Sequence, residues 1–292
     1  MDSKLTTYED SDDLIFDLSQ YLDQYDLYQL SNIGKRYNSI IYCARSLTEC
    51  SIGDLREFKH LKHLHLARHL KEQITLHDPK KIISLSNIGY NNLIDLSVFI
   101  NIQSLCIDQN PYIKNITVLT TLTELSLSLK GYRIELTTLT NLMKLNLRND
   151  QSVVDISPLT NITDLNLDHN SGIQDISMLP CLRSLSLVGN TKISDINKHS
   201  TLTSLDLTEN YKIWCLTNLV NLVSLTLWCT EQAYKLPSLT NLTYLKVQYI
   251  PHNYDSSMFP NLKTIDVSQI KYTITSAWFL SKLPETVTII RS

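Results

Sequence analysis

The stretch ITDLNLDHNSGIQDISMLPC, residues 162–181, is followed without a gap by LRSLSLVGNTKISDINKHST, residues 182–201. Laid one over the other, their apolar residues coincide. Ile162, Leu165 and Leu167 stand over Leu182, Leu185 and Leu187; Asn170 stands over Asn190; Ile173 and Ile176 stand over Ile193 and Ile196. The alternating Leu-x-Leu segment predicts a short strand with one buried face. Twenty residues cannot close a core alone, so each unit must bury its leucines against its neighbours.

The phase extends far in both directions. Units open at Ile102, Leu122, Leu142, Ile162, Leu182, Leu202, Leu222, Leu242 and Leu262, always 20 residues apart. Leu61 opens an earlier unit with Leu64 and Leu66. Ile82 opens the next with Leu85, but Asn87 stands where an apolar residue belongs. Within the units, further apolar columns recur: Leu93, Ile113, Val153, Ile173, Ile193 and Ile213; Leu96, Ile116, Leu136, Ile156, Ile176, Ile196, Leu216 and Leu236; Phe99, Leu119, Leu139, Leu159, Leu179, Leu219, Leu239 and Phe259. Projected backwards, the phase reaches Ile52, Leu55 and Phe58 as the end of a degenerate first unit. Projected forwards, it predicts a closing strand around Val287 and Ile289.

This unit resembles the leucine-rich repeat, over roughly residues 46 to 290, and stretches such as IQDIS at 173–177 look like the short repeats of internalin-type proteins. The resemblance implies an α/β solenoid, an arc of short parallel strands with repeats of about 20 residues. The return path is too short for a long helix, so the outer side should be turns and 3₁₀ pieces. In that family an Asn after the strand bonds to backbone groups in the turn. Asn110, Asn170, Asn190 and Asn210 hold that place here, whereas Lys130, Asp150, Thr230, Ile250 and Ile270 do not. A ladder complete only in the middle is therefore expected, with less regular C-terminal units where Asn253 and Ser256 stand at buried phases.

Composition removes several function classes. The chain of 292 residues has a formal net charge of −3, too little basic excess for a general nucleic-acid binder. With 43% hydrophobic residues it is not a disordered chain, and leucine alone is about one residue in six. Only 6 glycines are present and no phosphate-cradling glycine motif occurs. The N-terminus lacks the basic and apolar regions of a signal peptide, and no stretch reads as a membrane span. A location in the cytoplasm, or elsewhere in the cell interior including the nucleus, is expected, with six free cysteines. On that expectation the sequons at Asn115, Asn161 and Asn241 are chance matches.

Residues 1–30 carry eight acids against one lysine. Within them Leu14, Leu18, Tyr21, Leu22 and Tyr25 share one helical face. The run DLIFDLSQYLDQYDL at 13–27, followed by Leu30-Ser31 and Lys35-Arg36-Tyr37, resembles an F-box. The Leu-Pro that opens the box in that family is absent, and Asp12 stands at the proline. The resemblance implies an acidic tail at 1–10, an F-box-like helical domain at 11–45 and a repeat domain with terminal caps at 46–292. It also implies a Skp1-like adaptor as partner, held through Leu14, Ile15, Leu18, Leu22 and Leu27. An alternative reading of the same residues is an amphipathic cap covering the first repeat, which every solenoid needs.

No catalytic constellation can be placed, so no enzyme activity and no cofactor are expected. His63 and His65 lie two apart on a strand and could share a metal, but no carboxylate or thiol at ligand spacing completes the set. The better candidates project from the sheet between the leucines. Trp228, Tyr244 and Tyr249, with Lys246 between, have the composition of a protein-binding hot spot. The same aromatics could instead pack against C-terminal loops near Tyr254 or Trp278. Arg148, Asp168 and His169 form a weaker, charged patch. The expected function is therefore protein interaction. Two versions stay open: substrate recognition within a Skp1–cullin–F-box type ubiquitin ligase, or a free-standing scaffold or inhibitor. Either would hold an unidentified protein, without nucleic acid or membrane.

Overall fold

The computed structural model describes residues 46–50, 54–56, 58–66, 74–88, 95–110, 113, 116–129, 133–227, 235–250, 254–269 and 274–291. They form two compact units, divided between Leu122 and Thr123. The helical segment expected at 11–45, with Leu14, Ile15, Leu18, Leu22 and Leu27, lies outside the described residues.

In the first unit, strands β1 (Ser46–Cys50), β3 (His63–Leu66), β5 (Ser84–Ile88) and β6 (Ser104–Asp108) form a parallel sheet in that order. Strands β2 (Asp54–Leu55) and β4 (Thr75–Leu76) pair in a second, two-stranded sheet. The misfit at Asn87 resolves here. Leu85 pairs with Leu105, but it is Ile88 that pairs with Ile107, across a shift in register. One extra residue on β5 thus carries Ile88 to full burial where strict phase would have placed Asn87.

The second unit continues the pattern as a parallel solenoid: β7 (Glu124–Ser128), β8 (Lys144–Asn146), β9 (Asp164–Asn166), β10 (Ser184–Ser186), β11 (Ser204–Leu207), β12 (Ser224–Leu227), β13 (Tyr244–Val247), β14 (Thr264–Asp266) and β15 (Thr288–Ile290). Each strand pairs with the next, and corresponding leucines meet in register, as in Leu145 with Leu165 and Leu205 with Leu225. The leucine columns are almost wholly buried. Burying a leucine side chain contributes about 1.5–3 kcal/mol, so the columns are the main source of cohesion. Outside the strands lie short 3₁₀ turns such as Leu96–Val98 and Ser256–Met258. Among the described residues, an α-helix, α1 (Ile274–Ser281), precedes the closing strand. The C-terminal units keep their packing by a change of residue type. Tyr254 is buried edge-on against Phe259, 6.2 Å between ring centroids, and Phe259 meets Phe279 in the same way at 6.3 Å.

Two polar columns tie neighbouring turns together, and a third caps each turn from within. The first is the asparagine ladder. Asn170 donates from Nδ2 to the Leu147 and Asp150 carbonyls at 3.0 and 2.7 Å, and its Oδ1 accepts from the Gly172 and Ile173 amides. Asn190 and Asn210 repeat this arrangement. Asp150, expected to break the ladder, is fully buried within it. Its Oδ1 accepts from the Ser152 and Val153 amides, and its Oδ2 accepts from the Leu129 amide at 2.8 Å where an asparagine would donate. The ladder therefore changes polarity at this rung rather than ending.

The second column stands just before each strand unit, on the opposite edge. Asn101, Asn161, Asn221 and Asn261 donate from Nδ2 to the Lys80, Thr140, Ser200 and Thr240 carbonyls of the preceding turns at 2.7–2.9 Å. Thr121 and Thr201 hold the same place through their hydroxyls. The Asn161 amide is one of these rungs, and beside it Thr163 donates to the Met143 carbonyl.

The third column caps the turns. Asp95, Asp155, Asp175 and Asp255 each accept at Oδ1 from the amide of the serine two residues on. Those hydrogen bonds, from the serine hydroxyl first at Asp95 and from the amide first at the others, hold all four carboxyls below the ordinary 3.8. A carboxyl depressed in the folded state stabilises it above pH 3.8, and that stability is lost as pH falls through the lower folded value. The urea midpoint should accordingly fall between pH 5 and pH 3, about the window these carboxyls set. The fall should be shallower when all four aspartates are replaced by alanine; identical profiles would exclude the caps as its source.

Candidate interaction face

The sheet of the second unit buries one side chain in two, so its other row is left facing outward. Register places Asp206, Thr226, Lys246 and Asp266 side by side on β11 to β14, with Ser204, Ser224, Tyr244 and Thr264 in the row before them. Adjacent members are about 4.8 Å apart, within reach of one another.

Lys246 is not a free cation among aromatics. Its Nζ lies 3.5 Å from Asp266 Oδ2, and the Tyr244 hydroxyl approaches the same oxygen at 3.5 Å. The other Asp266 oxygen accepts from the Ser268 amide at 3.0 Å. Burial pushes the Asp266 carboxyl up, but the Ser268 hydrogen bonds and the Lys246 charge outweigh it and hold the group low. Tyr244 moves the opposite way. Burial first, then the negative charges of Asp266 and Asp206, push its phenol up, so it stays a hydrogen-bond donor. Asp206 accepts from the Thr208 amide and hydroxyl through one oxygen only. The three charged residues of the row sum to one net negative charge. Tyr249 is half-buried beyond the end of β13. Trp228 lies outside the described residues.

The second expected patch is rearranged. Arg148 is exposed, but Asp168 is 4% exposed and serves the fold. Its Oδ1 accepts from the Ser186 hydroxyl and the Val188 amide, and its Oδ2 accepts from Asn166. Those bonds cover the Asp168 carboxylate, whereas Arg148, at the same place two residues past the end of β8, stays exposed. His169 is exposed, in the left-handed region at φ 52°, as are Asn149 and Glu209 in the same column. Gly189 holds this place in the next turn at φ 59°, and a Cβ there would fall on the His169 ring. Gly189→Ala should therefore lower stability by about 1–2 kcal/mol and displace the imidazole. A urea midpoint and the His169 ring resonances check this; an unmoved ring would show that the contact does not constrain it.

In the first unit, His65 Nδ1 and Ser86 Oγ are 2.8 Å apart on neighbouring strands, a pairing that register explains. His63 is exposed beside it. Among the described residues no group of three or more His, Cys, Asp or Glu could hold a metal ion, and no helix is long and apolar enough to cross a membrane.

No family model matches the chain, and no curated protein matches it. Solved structures do. The functional domain of InlJ from Listeria monocytogenes, which includes a cysteine ladder, is 17% identical with a TM-score of 0.49, over 87% of this chain and 64% of that one. A TLR13–ssRNA13 complex is 16% identical with a TM-score of 0.47, over 87% and 51%. Internalin C2 from Listeria monocytogenes is 20% identical with a TM-score of 0.42, over 81% and 96%. The chain thus spans less than two thirds of the first two. Its repeat architecture stands on its own leucine columns and strand register.

Proposed function

We propose that this chain is a protein-interaction scaffold whose second unit holds a partner protein on the outward row of β11 to β14. The observation that carries this is the division of labour along each strand. Leucines and ladder asparagines take the buried positions, while Asp206, Tyr244 and Lys246, half-buried on the outward row, form a charged, aromatic cluster anchored on the buried Asp266. Aromatic and charged groups on a rigid sheet are the composition of an interface hot spot. The scaffold acts by holding its partner, not by chemistry of its own.

The finer reading is a substrate-recognition subunit of a Skp1–cullin–F-box type ubiquitin ligase. Residues 11–45 would hold the adaptor through Leu14, Ile15, Leu18, Leu22 and Leu27, and the sheet would raise the local concentration of a protein to be ubiquitinated. Its support is the F-box resemblance of 13–37 and its place before the repeats. Mixing the full chain with a purified Skp1-like adaptor tests it. Binding at micromolar concentration is expected, and no binding there sinks the adaptor role but leaves the scaffold standing. The scaffold has its own test: proximity labelling by the full chain, compared with a Tyr244→Ala, Lys246→Glu variant. A labelled set unchanged by the variant would remove the row from the interface.

A further inference from the structure

The outward row is not the only feature unexplained by packing. The edge of the first unit, where strands begin, carries Lys59, Lys62, Lys80 and Lys81, all exposed. Hydrogen bonds between successive turns place them together. Lys81 Nζ donates to the Lys59 carbonyl at 3.2 Å, Asn101 donates to the Lys80 carbonyl, and the Ile83 amide donates to the Lys62 carbonyl. No carboxylate forms an ion pair with these four among the described residues. The next turns along the same edge expose apolar side chains among polar ones such as Ser97, Asn101 and Thr120. Ile100 is 50% exposed beside Lys80, and Val98 and Val118, on consecutive 3₁₀ turns, are 40% and 51% exposed. The corresponding places in the second unit are mostly threonine, serine, proline, asparagine and lysine.

The chain itself contains the complement. Residues 1–30 carry eight acids against one lysine, and Leu14, Leu18 and Leu22 repeat at helical spacing between Asp12, Asp13, Asp17 and Asp23. This segment precedes β1, and Ser46 of β1 pairs with His63, the neighbour of Lys62. The chain therefore enters the fold at the lysine edge. Successive turns are about 4.8 Å apart, so Lys59 to Thr121 spans roughly 14 Å. A helix of about ten residues covers that distance.

We propose that residues 11–30 dock back on this edge, with their acids against the lysines and their leucines over Ile100, Val98 and Val118. The docking does not depend on adaptor binding. It would cover the leucines an adaptor needs, so an adaptor would have to displace it.

Zero-length carbodiimide cross-linking of the full chain at low ionic strength tests the proposal. Links should join Asp12, Asp13, Asp17 or Asp23 to the four edge lysines within the monomer. They should fall about tenfold in 1 M salt, where screening shortens to roughly 3 Å. Chymotryptic cleavage after Phe16, Tyr21 and Tyr25 should be about tenfold slower than in a Lys59→Glu, Lys62→Glu, Lys80→Glu, Lys81→Glu variant, the joint effect of several exposed pairs. Changing Asp12, Asp13, Asp17 and Asp23 to lysine in that variant should restore protection, which a merely misfolded edge would not allow. Links mainly to lysines beyond residue 123, links only between two molecules, or equal cleavage in all three chains would overturn it.

Discussion

Replacing Asn190 by alanine should lower the unfolding free energy by about 3 kcal/mol, with the local loss concentrated between β9 and β11. The residue is fully buried and makes four hydrogen bonds to backbone. Alanine strands the Asn170 carbonyl and the Lys192 and Ile193 amides, and leaves the Leu167 carbonyl with the Asn170 amide alone. Each such orphan costs about 1–3 kcal/mol, partly relieved by relaxation. Because each turn contacts only its neighbours, the defect should also weaken coupling along the stack. Urea unfolding gives the total, and amide exchange of 165–193 gives the location. A loss below about 1 kcal/mol would mean that the turn closes without the ladder.

The same logic reverses at Asp150. Asparagine there restores the repeat's usual residue, yet its Nδ2–H would face the Leu129 amide N–H now 2.8 Å from Oδ2. Destabilisation of about 1–2 kcal/mol is therefore expected, where a consensus argument expects a gain. What matters at this rung is which partner donates, not which residue is common.

That contrast also explains what could be read beforehand. The leucine columns were legible because a strict 20-residue phase leaves few ways to bury them. The Asp150 rung is hidden from a match by residue name, because a carboxylate holds it by accepting at both oxygens. The edge ladder of Asn101, Asn161, Asn221 and Asn261 shares the same phase and could have been found. Its members are exposed and polar, so they passed for composition. Asp168 shares its column with the exposed Arg148, and what buries it is its bonding to Asn166, Ser186 and Val188, which no alternation pattern contains. The Lys246–Asp266 pair was latent in adjacent entries of one column, since stacking turns what is 20 residues apart into neighbours.

His199 stands in a column otherwise filled by leucine or phenylalanine and is 4% exposed. Its backbone makes the usual turn bonds, to the Ile196 carbonyl and from the Leu202 amide. Burial pushes its imidazole below the ordinary 6.5; a hydrogen bond to Leu179 backbone and the charges of Asp195 and Asp175 oppose this, and Lys198 adds to it. Above pH 6.5 both folded and unfolded forms are neutral, and this residue makes no pH-dependent contribution. As pH falls below that, the unfolded chain takes up the proton first, so stability is lost until the lower folded value is passed. His199→Leu restores the apolar column and removes the titration. It should stabilise the chain by about 1 kcal/mol at pH 8, the gain in burial less one lost hydrogen bond. The margin over the unchanged chain should widen as pH falls below 6.5, until the lower folded value is passed. Urea midpoints at pH 8, 6.5 and 5 decide it: a margin that stays constant or narrows would mean that His199 is protonated in the folded chain, with water or a carboxylate admitted to the column.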